Sequence, residues 1–112
     1  MAPDYQAEAA VFKALGDPKR LAVLELLRSG EKCACVLLDQ LELTQSGLSY
    51  HMKILVASGL VVSRQAGKWT HYRLNLDGRD RAVRLLRQLT TPEIGADCAC
   101  GREDGQSNSP SR

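Results

Sequence analysis

At 112 residues the chain has room for one domain of ordinary size. A hydrophobic share of 44% with 25% charged residues excludes a wholly disordered, collagen-like or membrane-embedded chain, and no apolar run approaches the ~18 residues of a spanning helix. The formal net charge of +2 hides an uneven distribution: eight basic residues face two acidic ones between Thr44 and Arg87, whereas the tail from Thr91 is acidic.

Met1-Ala2-Pro3-Asp4 lacks the basic stretch and apolar run of a signal peptide, so a cytoplasmic location is expected. A reducing compartment makes Cys33, Cys35, Cys98 and Cys100 metal ligands or reactive thiols rather than structural disulfides. The spacing of Tyr5, Ala9, Phe12 and Leu15 predicts a first helix ended near Gly16. A second begins at once, with Asp17 as N-cap and Pro18 in the first helical position, and turns Leu21, Val23, Leu24, Leu26 and Leu27 inward before Ser29-Gly30. Cys33 to Leu41 reads as a third helix with Val36, Leu37 and Leu41 inward.

Thr44 caps a fourth helix that gathers Leu48, Met52, Leu55 and Val56 on one face and stops at Gly59. Its other face is a polar stripe of Gln45, Ser46, Ser49, Tyr50 and Lys53. Leu60 to Arg64 and Trp69 to Leu74 then read as two strands around a Gly-containing turn. From Asp77 a last, amphipathic helix groups Val83, Leu86 and Leu89 among four arginines and ends near Thr91-Pro92. Residues 1–92 thus form the domain and 93–112 a flexible tail, disordered from Gln106 to Arg112.

Two short helices joined tightly, the second followed by a basic hairpin, describe a winged helix-turn-helix, mainly α with a β-hairpin, whose second helix enters the major groove of DNA. Small polar residues at its start, Gln45, Ser46 and Ser49, allow close approach, and Gln45 can pair with adenine. Lys53 is placed for phosphate, and Arg64 and Lys68 flank the hairpin turn, where such contacts position the protein without selecting sequence. Taken singly, these residues also fit a solvated helix face; the order of the elements favours DNA. His51, beside the apolar stripe, reads as a packed or hydrogen-bonded histidine rather than a base reader.

Leu15-Gly16-Asp17-Pro18-Lys19-Arg20-Leu21, Thr44-Gln45-Ser46-Gly47-Leu48-Ser49-Tyr50-His51-Met52-Lys53-Ile54-Leu55, Ala57-Ser58-Gly59-Leu60-Val61 and Gly67-Lys68-Trp69-Thr70-His71-Tyr72-Arg73-Leu74, in this order, resemble the ArsR/SmtB family of metal-responsive repressors over residues 5–90. The resemblance implies a homodimer whose first and last helices supply the interface and whose apo form sits on palindromic double-stranded operator DNA. A symmetric dimer also answers a physical need, since a domain of ~90 ordered residues has little chain to cover the apolar faces around Phe12 and Leu86.

Glu31-Lys32-Cys33-Ala34-Cys35-Val36-Leu37 resembles the family's metal-binding box, which implies As(III) or Sb(III) as inducer, with no organic cofactor. Some members carry a third cysteine where this chain has Leu38, so Cys98 or Cys100 becomes the candidate for a third thiolate. Thiolates do prefer soft ions. In a regular helix Cys33 and Cys35 would point roughly 200° apart. Either the segment is not helical at Cys33, or ion binding unwinds the first turn and so disturbs the helix that supports the reading helix. Two small buried hydrophobes are the plain alternative for the pair.

The family's other site, an aspartate and two histidines on the last helix for zinc, has no counterpart, since His51 and His71 are the only histidines. Cadmium or lead sensing through the same thiolates, or a thiol-redox repressor, are the rival readings; a disulfide between residues so close in sequence is strained. A thiol enzyme is disfavoured, because the chain offers no Cys-x-x-Cys, no Gly-rich phosphate loop and no clustered acid and base.

Overall fold

Several helix starts follow from the side chain that precedes them. In the computed structural model, which describes residues 4–95, α1 spans Gln6–Leu15, α2 Pro18–Leu27, α3 Ala34–Leu41, α4 Gln45–Ala57 and α5 Leu76–Thr90. Cys98, Cys100 and the segment 106–112 lie outside the described residues. The Asp17 carboxylate accepts from the amides of Lys19 and Arg20 at 2.9 and 3.2 Å, and Pro18 fills the position where a missing N–H costs nothing. Thr44 Oγ1 accepts from the Gly47 amide at 3.0 Å and starts α4. Between α3 and α4, Glu42 adopts a left-handed φ of 54°, a conformation more at home in glycine, and turns the chain from one helix into the next.

The strands β1 (Lys32–Cys33), β2 (Val61–Ala66) and β3 (Trp69–Leu74) form an antiparallel sheet in the order β1-β3-β2. β2 and β3 are the expected hairpin. Gly67, with φ 63°, takes the first loop position, where a tight hairpin requires a positive φ. β1 was not expected, and it moves the start of the third helix from Cys33 to Ala34. Two residues are too few to show a period of two, and the strand forms because β3 offers a free edge to pair with.

Val23 and Leu27 of α2, Leu37 of α3, Leu48, Met52 and Leu55 of α4, and Leu60 and Val61 at the entry to β2 form the core with Ala14. Burying a side chain of this size stabilises by about 1.5–3 kcal/mol, so the inner face of α4 is among the best-anchored parts of the domain. Leu21, Val36 and Val56, expected inward, are exposed. Their helices each meet the body along one side only, and these residues fall at the edge of an apolar stripe wider than that contact.

The last helix is fixed chiefly at its start. A Cβ on Gly78 would stand 1.8 Å from the Gly59 carbonyl oxygen, so the two backbones touch where α4 gives way to β2. Asn75 seals this junction, its side-chain amide donating to Gly59 O and its backbone amide to Leu60 O, both at 2.9 Å. Further along α5, Val83, Leu86 and Leu89 remain about half exposed.

Candidate DNA-reading surface and cysteine pair

Because Leu48, Met52 and Leu55 bury one face of α4, helical geometry sends Gln45, Ser46, Ser49, Tyr50 and Lys53 outward, and all five are exposed. Lys68 is exposed at the tip of the hairpin. Arg64, on β2, is exposed but engaged: its Nε and Nη2 each donate to the Glu31 carboxylate at 2.8 Å. The hydrogen bond from Arg64 holds the Glu31 carboxyl below its usual range, ahead of any effect of burial. The sequence placed Arg64 on the hairpin, where it is found, without revealing its partner, 33 residues away.

Two residues beneath this surface escaped the sequence reading or were read only in outline. Arg20, 6% exposed, is the one charged side chain in the core of the described residues. Its Nε donates to Ala14 O at 3.1 Å and its Nη2 to Lys13 O at 2.9 Å, two carbonyls in the last turn of α1, where helical partners run out; Lys13 O also accepts from the Gly16 amide at 3.2 Å. Its Nη1 lies 2.9 Å from His51 Nδ1. His51 is the packed histidine expected, its side chain 13% exposed. A signal for Arg20 existed: it precedes Val23 by three residues and Leu27 by seven, which puts it on the buried stripe of α2.

Cys33 and Cys35 come together. Cys33 is extended, with φ −70° and ψ 146°, and serves as N-cap of α3, its sulfur accepting from the Cys35 amide at 3.3 Å. The Cys35 thiol donates to the same sulfur at 2.6 Å. This hydrogen bond pulls the Cys33 thiol below its ordinary pKa, helped by the amides of Cys35 and Val36, while donating the proton raises Cys35. Of the two arrangements the sequence allowed, the non-helical Cys33 is the one found, and no helical turn has to unwind to bring the sulfurs to one point. Among the described residues no third His, Cys, Asp or Glu gathers with them to hold a metal ion.

Cys33 also belongs to the sheet. It stands opposite His71 of β3, which in turn stands opposite Arg64 of β2. The cysteine corner, the wing and the Glu31–Arg64 pair thus share one edge-to-edge row.

A match to the family described as "Bacterial regulatory protein, arsR family" covers residues 17–63, from the Asp17 cap through α4 into β2. An arsenical resistance operon repressor of Staphylococcus xylosus is 41% identical over 96 residues, which is 86% of this chain and 90% of that protein. Its counterpart in Staphylococcus aureus is 39% identical over 87 residues, 78% of this chain and 84% of that one. Among solved structures, an ArsR-like transcriptional regulator from Rhodococcus sp. RHA1 superposes with a TM-score of 0.67 at 29% identity, covering 76% of this chain and 78% of that one. Sequence and fold agree, and the surface described above is that of a regulator rather than of an enzyme. The chain belongs to the ArsR family of winged helix-turn-helix transcriptional regulators.

Proposed function

We propose that the protein represses transcription in the cytoplasm by binding palindromic operator DNA as a homodimer, and that it releases the DNA when As(III) or Sb(III) binds Cys33 and Cys35. The observation that carries this reading is the convergence of the two sulfurs, 2.6 Å apart, on one point of the surface beside the wing. Relatives named as arsenical resistance operon repressors support it in kind.

The donor set fits a soft ion. Two thiolates sharing one ion with bonds of about 2.3 Å stand about 3.5 Å apart, a separation that side chains meeting at one point reach by small rotations. The third donor has to come from Cys98, Cys100, solvent or a small thiol, given that the described residues supply none. Opening the pair costs Cys33 its hydrogen bond to the Cys35 amide and strains the β1–β3 pairing at His71. That strain falls on α3 and the wing together, and it is how an ion at the corner disfavours the DNA-bound arrangement.

Gln45, Ser46, Ser49 and Tyr50 are assigned to the major groove, and Lys53 and Lys68 to phosphate. Arg64 reaches phosphate only by exchanging Glu31 for it. The dimer reading rests on the apolar faces that a single chain leaves open. Leu86 is 53% exposed, with Val83 and Leu89 beside it, and the groove between α2 and α5 is lined by Leu21, Leu24, Leu60 and Leu74. A second copy is the occupant that gives a palindrome two equally spaced reading helices.

The test is release. Cys33→Ser and Cys35→Ser should each bind DNA within about twofold of the unchanged protein and lose release by arsenite and antimonite, because a hydroxyl is a poor ligand for a soft ion. Cadmium, lead and peroxide, run side by side, separate the rival inducers. Release of both serine variants by arsenite at the unchanged concentration would refute the assignment.

A further inference from the structure

Below the reading face of α4 lies a polar contact that packing does not require. Leu48, Met52 and Leu55 fix the depth of α4 in the core, but apolar contacts are non-directional and tolerate small rotations of a helix about its axis. A hydrogen bond does not, since it weakens steeply as its angle departs from linear. Among the described residues, the one side-chain hydrogen bond between α4 and α2 is that of Arg20 Nη1 with His51 Nδ1 at 2.9 Å. The guanidinium is planar and rigid, and its Nε and Nη2 each donate to a carbonyl at the end of α1, Ala14 O and Lys13 O. One flat group therefore sets the end of α1, the first turn of α2 and the middle of α4 against one another.

We infer that Arg20 and His51 are positioning residues for DNA recognition, the contact between them fixing the rotation of α4 and so the aim of its exposed residues. This rests on the assignment of α4 as the reading helix. His51 is next to Tyr50, their rings 5.2 Å apart and edge to face, and lies two residues from both Ser49 and Lys53. With side chains reaching about 5–6 Å from the axis, a rotation of roughly 20° displaces a side-chain tip by about 2 Å. That is enough to break a base contact.

The chemistry of the contact also fixes the protonation state that works. Arginine keeps its proton, so it donates and His51 Nδ1 accepts, which leaves the proton of the neutral ring on Nε2. The groups that face the ring are the Arg20 guanidinium, the Asp17 carboxylate at the start of α2, 3.8 Å from Nδ1, and the Tyr50 ring on α4 itself. α1 contributes its Lys13 and Ala14 carbonyls, through Arg20. A protonated ring can no longer accept from Arg20 and turns its Nδ1–H toward Asp17.

The experiment uses the full-length protein, a duplex selected by it from a random-sequence pool, and a scrambled duplex of the same composition. His51→Leu should lose about tenfold in preference for the selected duplex, as expected for one lost charge-assisted contact, while scrambled binding and the melting temperature stay close to those of the unchanged protein. His51→Asn, whose Oδ1 replaces Nδ1 as acceptor and cannot be protonated, should restore the preference. Full preference in His51→Leu, or no recovery of preference in His51→Asn, would overturn the inference even if the leucine variant is less stable. Lys53→Glu separates the assumptions: binding lost there but kept in His51→Leu removes the positioning role alone, and binding intact in Lys53→Glu removes the reading of α4 and the inference with it.

Discussion

Whereas α4 is held in its middle by the buried Arg20 and at its end by the backbone contact of Gly59 with Gly78, the cysteine pair sits where a two-residue strand at the rim of the sheet, ending in Cys33, meets the first turn of α3 with Cys35. Its nearest electrostatic support, Glu31 with Arg64, is exposed to solvent and screened by salt. The contrast separates two mechanical roles. Lifting or tilting α4 means breaking close-packed contacts, so beyond small rotations about its own axis the helix moves only with the body of the domain. The cysteine corner can rearrange by giving up one sulfur hydrogen bond and a short ladder, a small cost that an ion bound by two thiolates easily exceeds. Under the proposed function, the sensor lies at the cheap end of the domain and the reader at the costly end, so that an ion would change how the parts sit without unfolding either.

The largest effect is expected at the exposed face of α5, the proposed interface between two copies of the chain. Leu86→Glu would bury a charge between subunits, and DNA affinity should fall by at least about a hundredfold, with a monomer in sedimentation. A dimer that still binds a palindrome would move the interface elsewhere. Next in size is Gly78→Ala. The added methyl has to displace backbone at Gly59, and overpacking of this kind costs about 1–3 kcal/mol, read as a lower melting temperature together with weaker DNA binding. Unchanged stability would mean that the α4–α5 junction yields more readily than its geometry implies.

The smallest effect is expected at the rim. Glu31→Gln removes the pairing charge from Arg64, so DNA affinity should rise slightly at low salt as Arg64 becomes available to phosphate, and stability should change little. The pH dependence has a definite sign. Glu31 is held below its ordinary pKa, so its contribution to stability is complete above the normal carboxylate range and disappears as pH falls through that range to the lowered value. The variant should lack this component. Weaker DNA binding in Glu31→Gln would show that the pair supports the wing rather than restraining Arg64.

The helices and the hairpin were legible because each is set by local rules: Asp17, Thr44 and Gly67 mark boundaries, and the spacing of Val23 with Leu27 or of Leu48 with Met52 and Leu55 gives the buried faces. What escaped depends on residues distant in sequence. β1 exists only through pairing with β3, and Glu31 meets Arg64 only once that sheet has formed. Arg20 was hidden for a different reason. Beside Lys19 it reads as a solvated charge although its spacing to Val23 and Leu27 puts it on the buried stripe, and the acceptors that make its burial possible, Ala14 O, Lys13 O and His51 Nδ1, come from other elements. The cysteines were legible as a pair, but the extended backbone at Cys33 was not, because a helix start and the residue before it look alike in sequence.

The account turns on whether the cysteine corner is the place where the inducer binds, and sulfur counting at the ion addresses that without reference to DNA. Arsenic-edge X-ray absorption on the full-length protein loaded with arsenite should show a first shell containing at least two sulfurs, and it should lose sulfur in Cys33→Ser and again in the double variant with Cys35→Ser. An oxygen-only shell in the unchanged protein, or a sulfur shell that the double variant leaves intact, would contradict the assignment.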